Sequence, residues 1–214
     1  MTPFPIILSA PSGAGKTTIA RRLLQVRNDV GYSVSATTRR PRAGEVDGTA
    51  YHFMSAAEFT AAVGRGEFAE HALVHGNMYG TLRSEVARVI AAERHVVMDI
   101  DVQGAAQFAA AFPETVKIFI LPPSGEILIS RLKGRGTEDS KTVATRLRDA
   151  IGEIGVMSEF DYVVINDELE RAVAQVSGII DAECLRLRNA PESSRVAAET
   201  VAALQAELLH FQET

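Results

Sequence analysis

The sequence predicts an α/β fold in which a doubly wound parallel sheet is flanked by helices, and two observations support this. Short apolar runs of strand length alternate along the chain with longer segments whose apolar residues recur at helical spacing. The first of these runs leads directly into a glycine-rich turn and then a helical pattern, which is how a parallel α/β unit opens. Helical crossovers keep successive strands parallel to one another.

The elements follow in order along the chain. Phe4–Ser9 is a short apolar run that stops at Pro11, which predicts a buried strand. Thr17–Val26 has its apolar residues on one side and arginines on the other, which predicts an amphipathic helix. Three further strands are predicted at Val96–Ile100, Val116–Leu121 and Tyr162–Ile165. Helices are predicted at Thr81–Glu93, Gly104–Ala111, Ser124–Lys133, Thr142–Phe160 and Leu169–Arg188.

Two stretches interrupt this alternation. Residues 35–80 are rich in Arg, Thr, Gly and Tyr and predict short strands with one helix near Ala56–Val63, whereas residues 131–146 are polar and charged. Both are expected to be insertions over the strand ends, where ligands bind in such folds. The predicted organisation is core at 1–34, insertion at 35–95, core at 96–125, second insertion at 126–150, and core with C-terminal helices at 151–214.

The net charge, the cysteine content and the lengths of the apolar runs limit the binding partners and the cellular compartment expected for this protein. The chain has 22 Lys and Arg against 27 Asp and Glu, a formal net charge of −5. This argues against a surface that holds long nucleic acid by counterion release. Cys184 is the single cysteine and suits a reducing compartment. No apolar run has the length of a membrane span, and the first residues lack a signal-peptide pattern, so a cytoplasmic protein with no membrane or nucleic-acid-polymer partner is expected.

The segment APSGAGKT at residues 10–17 matches a phosphate-binding P-loop, except that Ala10 stands where the first glycine is usual. The pattern tolerates Ala10 if its φ is negative, while Gly13 and Gly15 let the backbone turn its N–H groups inward. Lys16 is expected to reach the β- and γ-phosphates of ATP, and the Thr17 hydroxyl to ligate Mg²⁺. The predicted ATP-binding residues are Ala10, Pro11, Ser12, Gly13, Ala14, Gly15, Lys16, Thr17 and Thr18.

Two carboxylates follow the second predicted strand. Asp99 lies at its end and fits the acidic partner of a P-loop, which holds the metal directly or through water. Asp101 lies two residues further on, and two interpretations stay open for it. Either it faces the same side as Asp99, or it caps the helix that begins near Gly104.

Arginines are concentrated in both insertions. Arg39, Arg40 and Arg42 lie within four positions, and guanidinium groups bind phosphate through paired hydrogen bonds. A solvated basic turn is the alternative interpretation. The second insertion carries Arg131, Arg135 and Arg146. Two arginine sets and one P-loop suit two phosphorylated substrates held end to end.

Taken together, these segments closely resemble the guanylate kinase family, which converts GMP and ATP to GDP and ADP. The resemblance covers roughly residues 4–188. It depends on APSGAGKTT, SVSATTRRPRAGEVDG with Tyr51, GEFAEHALVHGNMYGT, VVMDIDVQG, and LPPS followed by RLKGRGTE. It implies a P-loop NTPase-type parallel sheet, a GMP-binding insertion at 35–95 and a short lid at 126–150.

The resemblance also implies roles for individual residues. The phosphate of GMP is expected to be held by Arg39, Arg42, Tyr51 and Tyr79. The guanine is expected to be read by Ser35, Glu70, Thr81 and Asp101, with Gly80 completing the GMP site. The catalytic cations are expected to be Lys16, Arg131, Arg135 and Arg146, with Mg²⁺ held by Thr17 and Asp99. Thr81 keeps a hydroxyl where serine is common in the family, and Met78 replaces the first tyrosine of the common GxYYG stretch.

The chemistry of guanine agrees with one of these roles. Its N1–H and exocyclic amino group lie side by side, so a single carboxylate such as Glu70 can accept from both. Without the resemblance, an exposed surface charge would be the simpler interpretation of Glu70.

Two rival functions stay open: a kinase for AMP, UMP or dTMP, and an interaction module that binds a phosphopeptide. The intact Lys16 and Thr17 argue against the module, and the sequence does not decide between monomer and homo-oligomer.

Overall fold

The structure, a computed structural model, describes residues 2–74, 76–133, 140–186 and 191–212. The chain divides into two compact units, Pro3–Val176, and Ser177–Thr214 together with Met1–Thr2. The nine strands of the described residues are β1 (Pro5–Ser9), β2 (Val30–Tyr32), β3 (Ala36–Thr37), β4 (His52–Phe53), β5 (Phe68–Val74), β6 (Asn77–Leu82), β7 (His95–Asp99), β8 (Val116–Leu121) and β9 (Tyr162–Ile165).

The helices of the described residues are α1 (Lys16–Val26), α2 (Ala56–Gly64), α3 (Arg83–Ala91), α4 (Val102–Ala111), α5 (Gly125–Lys133), α6 (Ser140–Gly155), α7 (Leu169–Leu185) and α8 (Pro191–Gln212), with one 3₁₀ turn at Met157–Glu159. None of these helices combines the length and the apolar character that a membrane crossing requires.

The first sheet contains five parallel strands in the order β2-β7-β1-β8-β9. Its central strands are almost wholly apolar because helices flank the sheet, and parallel sheets of this kind are buried on both sides. Phe108 of α4 is completely buried against Met98 and Ile7. Burying a side chain of this size stabilises the fold by about 1.5–3 kcal/mol. The predicted parallel α/β fold is therefore confirmed.

The second sheet is built from residues 36–82, within the predicted first insertion. Its four strands lie in the order β4-β3-β6-β5, with β6 antiparallel to both of its neighbours. Phe59 and Ala62 of α2 pack on Phe68 and Leu82 of this sheet. Ser55 caps α2 and Glu58 completes a capping box, which explains why the helix begins at Ala56. The prediction of short strands with one helix here is confirmed.

Some predicted boundaries were wrong. The helix predicted from Thr81 begins at Arg83, because Thr81 and Leu82 belong to β6 and pair with β5. The helix predicted to reach Phe160 ends at Gly155 and is followed by the 3₁₀ turn. β2 was missed, since three residues that include a glycine give too short a pattern to recognise. The predicted end of the last helix at Arg188 lies outside the described residues.

The register of the first sheet brings distant segments together at the carboxyl ends of its strands. Leu8 of β1 pairs with Asp99 of β7, so the loop after β1 lies beside the end of β7. Leu121 of β8 pairs with Ile165 of β9, which places Asn166 at the same edge. In doubly wound sheets this edge is where ligands bind.

Candidate active site

A cleft of about 660 Å³ lies at this edge of the first sheet. From the predicted ATP side it is lined by Pro11, Ser12, Gly13, Gly15, Lys16, Thr17 and Thr18. From the predicted GMP side it is lined by Ser35, Tyr51, Glu70, Tyr79, Gly80 and Asp101, and its lining also includes Asp99 and Arg131. Most residues that the sequence singled out are therefore brought to one cavity, although they come from four separate parts of the chain.

The loop between β1 and α1 has the predicted P-loop conformation. The amide of Ala14 donates to the carbonyl of Pro11 at 3.0 Å and closes a turn. Ala10 is completely buried, and its φ is not positive, so the residue that replaces the usual glycine is accommodated without strain. Helix α1 begins at Lys16, so the positive end of its dipole points towards the cleft.

Gly15 is required by both its backbone and its surroundings. Its φ is +100°, a left-handed conformation that side chains rarely adopt, and an added Cβ would lie 2.4 Å from Nδ2 of Asn166. That amide donates to the carbonyl of Ala14 at 2.7 Å, and the Arg131 guanidinium reaches the same carbonyl at 3.4 Å. Asn166, the residue after β9, therefore holds the P-loop, a role that sequence reasoning missed.

Three polar groups lie at the junction of the P-loop and β7. Nζ of Lys16 donates to the carbonyl of Ile100 at 3.4 Å, and the Thr17 hydroxyl donates to Oδ2 of Asp99 at 2.5 Å. The Tyr32 hydroxyl donates to the other oxygen of Asp99. Burial, and then the charge of Asp99, raise the pKa of Tyr32 well above its ordinary value, so the phenol stays a donor. Nothing in the sequence had indicated Tyr32.

Helix α6 contacts the P-loop with two side chains. Arg146 is buried and donates to the Ser12 hydroxyl at 2.8 Å. Glu153, two turns further along α6, lines the cleft together with Ser12, and burial raises its pKa. Sequence reasoning identified Arg146 and missed Glu153. Arg135, the remaining predicted lid arginine, lies outside the described residues.

Glu45 binds two of the arginines in the first insertion, Arg39 and Arg42. Its carboxylate accepts from the Arg39 guanidinium at 2.9 Å and from the Arg42 amide at 2.7 Å. The Arg39 guanidinium lies 5.3 Å from the centre of the Tyr51 ring, and that ring packs edge-on against Tyr79 at 6.0 Å. Arg39, Tyr51 and Tyr79 are thus brought together. The two tyrosines line the cleft, whereas neither Arg39 nor the exposed Arg42 is among its lining residues.

The far end of the cleft contains a buried carboxylate. Glu70 of β5 is 5% exposed and accepts from the Thr81 hydroxyl of β6 at 2.7 Å. An added Cβ on Gly104 would lie 2.6 Å from Oε2 of Glu70, so a larger residue there would displace the Glu70 carboxylate. Asp101 caps α4 by accepting from the amides of Gln103 and Gly104, both at 2.8 Å. The capping alternative for Asp101 is confirmed, and the residue lines the cleft as well.

Burial gives this carboxylate an unusual proton affinity. Removal from solvent, and to a smaller extent the negative charge of Asp101, raise the pKa of Glu70 to about 7, against the opposing effect of the Thr81 hydrogen bond. A ligand that donates two hydrogen bonds to Glu70 would favour its ionised form. The end of the cleft is therefore suited to a group with adjacent donors.

Comparison with known proteins decides the family. A family model described as guanylate kinase matches residues 2–183. The chain belongs to the guanylate kinase family. It is 48% identical to the guanylate kinase of Dechloromonas aromatica over 84% of this chain and 89% of the relative. It is also 48% identical to that of Anaeromyxobacter dehalogenans, over 90% and 87% of the two chains.

A solved structure extends this likeness to the fold. The crystal structure of the guanylate kinase from Anaplasma phagocytophilum superposes with a TM-score of 0.72 at 33% identity, covering 87% of this chain and 88% of that one. The guanylate kinase resemblance inferred from the sequence motifs and the P-loop NTPase-type fold are both confirmed.

Proposed function

We propose that the chain transfers the γ-phosphoryl group of ATP to GMP and so forms ADP and GDP. Membership of the guanylate kinase family supports this activity. The observation that carries it is a single cleft with an intact P-loop at one end and the buried Glu70–Thr81 pair at the other. In this proposal residues 35–95 bind GMP, and residues 126–150 supply the lid arginines.

We assign Mg²⁺ to Thr17 and Asp99. Both offer hard oxygen atoms within the cleft, which is the donor set that Mg²⁺ prefers. When bound, Mg²⁺ would neutralise charge on the β- and γ-phosphates of ATP.

The protein groups would align the two substrates and screen their charge. The phosphate of GMP is largely dianionic near neutral pH, because its second pKa is about 6, so it attacks without a protein base. Arg39, Tyr51 and Tyr79 would orient this phosphate in line with the γ-phosphate. Lys16, Arg131 and Arg146 would stabilise the charge on the transferring group, with no covalent intermediate. Arg42, predicted to hold the phosphate of GMP, and Arg135, predicted to act on the transferring group, stay predictions of the sequence.

The guanine would be selected by its hydrogen-bond donors. Ionised Glu70 can accept from N1–H and the exocyclic amino group together, while Ser35, Thr81 and Asp101 complete the pocket. Adenine presents an acceptor at N1, so binding it would leave the buried carboxylate unpaired.

Turnover with a panel of acceptors tests the proposed function. ADP formation from ATP and Mg²⁺ is measured with GMP, AMP, UMP and dTMP at equal concentrations. We expect kcat/KM for GMP to exceed the others by at least about 10²-fold. A preference for another monophosphate would assign a different kinase. No turnover with any acceptor, together with binding of a phosphopeptide, would support the interaction module instead.

The substitution Glu70→Ala is expected to raise KM for GMP on the order of 10²-fold, because two hydrogen bonds to a charged acceptor are lost. KM for ATP should change little. The matched control is Glu67→Ala, since Glu67 lies in the same segment but pairs with Arg65 at the surface. If the Glu70→Ala variant kept the full GMP preference in a coupled ADP assay, the assignment of guanine recognition to this carboxylate would be wrong.

The raised pKa of Glu70 predicts a pH dependence of GMP binding. Below about pH 7 the carboxyl group of the free protein is protonated, and binding guanine then requires loss of that proton. Affinity for GMP should therefore be highest above pH 7 and fall by up to about tenfold per pH unit below it.

The measurement is KM for GMP from about pH 5.5 to about pH 8.5 with saturating ATP and Mg²⁺. Glu70→Gln serves as the control, because its profile retains only the titration of the GMP phosphate, whose second pKa is about 6. Overlapping profiles for the wild type and Glu70→Gln would show that the carboxyl group does not titrate in this range.

A further inference from the structure

Tyr32 is the last residue of β2, the strand at the edge of the first sheet. Its backbone is fixed by pairing with Val97 of β7, and its carbonyl accepts from the Arg88 guanidinium at 3.0 Å. Its hydroxyl donates to Oδ1 of Asp99, while the Thr17 hydroxyl donates to Oδ2. Each oxygen of this carboxylate therefore accepts a hydrogen bond from the hydroxyl group of a different element, one from β2 and one from α1.

Two donors on opposite oxygens restrict the carboxylate in a way that one donor does not. The terminal torsion of an aspartate is broad and roughly two-fold, so a single hydrogen bond leaves the group free to turn about it. With Tyr32 on one oxygen and Thr17 on the other, the plane of the Asp99 carboxylate is defined. One lone-pair site remains on each oxygen for a cation or for water bound to it.

The same arrangement orients the hydroxyl of Thr17. Because this hydroxyl gives its hydrogen to Asp99, its oxygen lone pairs are directed away from the carboxylate and are available to a cation. If Asp99 turned, the Thr17 hydrogen would lose its acceptor and the hydroxyl would rotate. The orientation of Thr17 therefore depends on that of Asp99.

We propose that Tyr32 is a positioning residue for Mg²⁺, which holds the Asp99 carboxylate so that the Thr17 oxygen faces the cation. This inference rests on the proposed function, in which Thr17 and Asp99 hold Mg²⁺. Tyr32 acts through Asp99 and does not itself line the cleft. Substitution of a residue that hydrogen-bonds to a metal ligand without contacting the metal commonly lowers metal affinity by about 10- to 100-fold.

The test is the substitution Tyr32→Phe, which removes the hydroxyl and keeps the ring. The Mg²⁺ concentration that gives half-maximal GMP phosphorylation is expected to rise about tenfold, while kcat at saturating Mg²⁺ and KM for GMP stay near the wild-type values. Tyr162→Phe is the matched control, because Tyr162 is a strand tyrosine on β9 and does not line the cleft.

A second readout is independent of turnover. The rise in melting temperature produced by ATP with Mg²⁺ is compared with that produced by ATP with EDTA, each relative to the same variant without ligand. The difference between the two should be smaller in Tyr32→Phe than in the wild type, and the shift with EDTA should be equal. A general loss of stability does not affect this comparison.

The outcomes separate the two proposals. If the Mg²⁺ titration and the melting shifts of Tyr32→Phe superimpose on those of the wild type, the tyrosine only packs and the inference is overturned. If the wild type fails to phosphorylate GMP, the proposed function fails. The melting shifts with ATP then still report whether the hydroxyl supports the cation.

Discussion

The substitution Lys16→Ala is expected to leave a folded protein whose kcat is lower by about 10³–10⁵, the range for a cation that stabilises a transferring phosphoryl group. Lys16 is the first residue of α1, and its ammonium group lies in the cleft near the carbonyl of Ile100. The side chain is half-buried and is not part of the hydrophobic core, so its loss should cost little stability. A coupled ADP assay and thermal melting monitored by circular dichroism measure the two effects.

Lys117→Ala is the matched control for this experiment. Lys117 lies on β8 and donates to the carbonyl of Glu159, and it is not among the residues that line the cleft. Its loss should leave kcat unchanged. If Lys16→Ala retained more than about a tenth of the wild-type kcat, the P-loop lysine would not stabilise the transition state, and the central assignment of the ATP site would have to be abandoned.

The second large effect is expected at Arg146, where substitution by Ala should lower kcat by about 10³, by analogy with arginine fingers. Its guanidinium is buried beside the P-loop and donates to Ser12. Arg148→Ala is the matched control, since Arg148 is exposed on the same helix α6. Arg146→Lys should recover only part of the loss, because an ammonium group cannot make the paired hydrogen bonds of a guanidinium.

The kinetic pattern distinguishes catalysis from support of the P-loop. A group that acts in the transition state lowers kcat and kcat/KM together, whereas one that only shapes the ATP site raises KM for ATP. If Arg146→Ala changed KM for ATP alone, the residue would hold Ser12 in place and would not contact the transferring phosphate.

Local patterns made much of this protein predictable. The P-loop was identified because nine consecutive residues determine its turn and the start of α1. The buried strands β1 and β8 and the edge strand β9 were identified because each is a compact apolar run. The family motifs then identified Glu70, Tyr51 and Tyr79, which line the cleft.

The contacts that sequence reasoning missed are those between distant segments. Tyr32 and Asp99 are 67 positions apart, and Asn166 lies 152 positions from the carbonyl that it holds. Only the parallel register of the sheet brings such residues together, and that register is set by side-chain packing along whole strands. The sequence did not single out Gly104 for the same reason, because its importance comes from the close approach of α4 to Glu70.

The segment Asp99-Ile100-Asp101 contacts both the P-loop and helix α4. Its first carboxylate contacts Thr17, its central carbonyl contacts Lys16, and its last carboxylate caps α4. Two peptide units span at most about 7 Å, so the Cα atoms of Asp99 and Asp101 stay within that distance of each other. The contacts to the P-loop and the cap of α4, which packs closely on Glu70, are therefore joined through one segment of three residues.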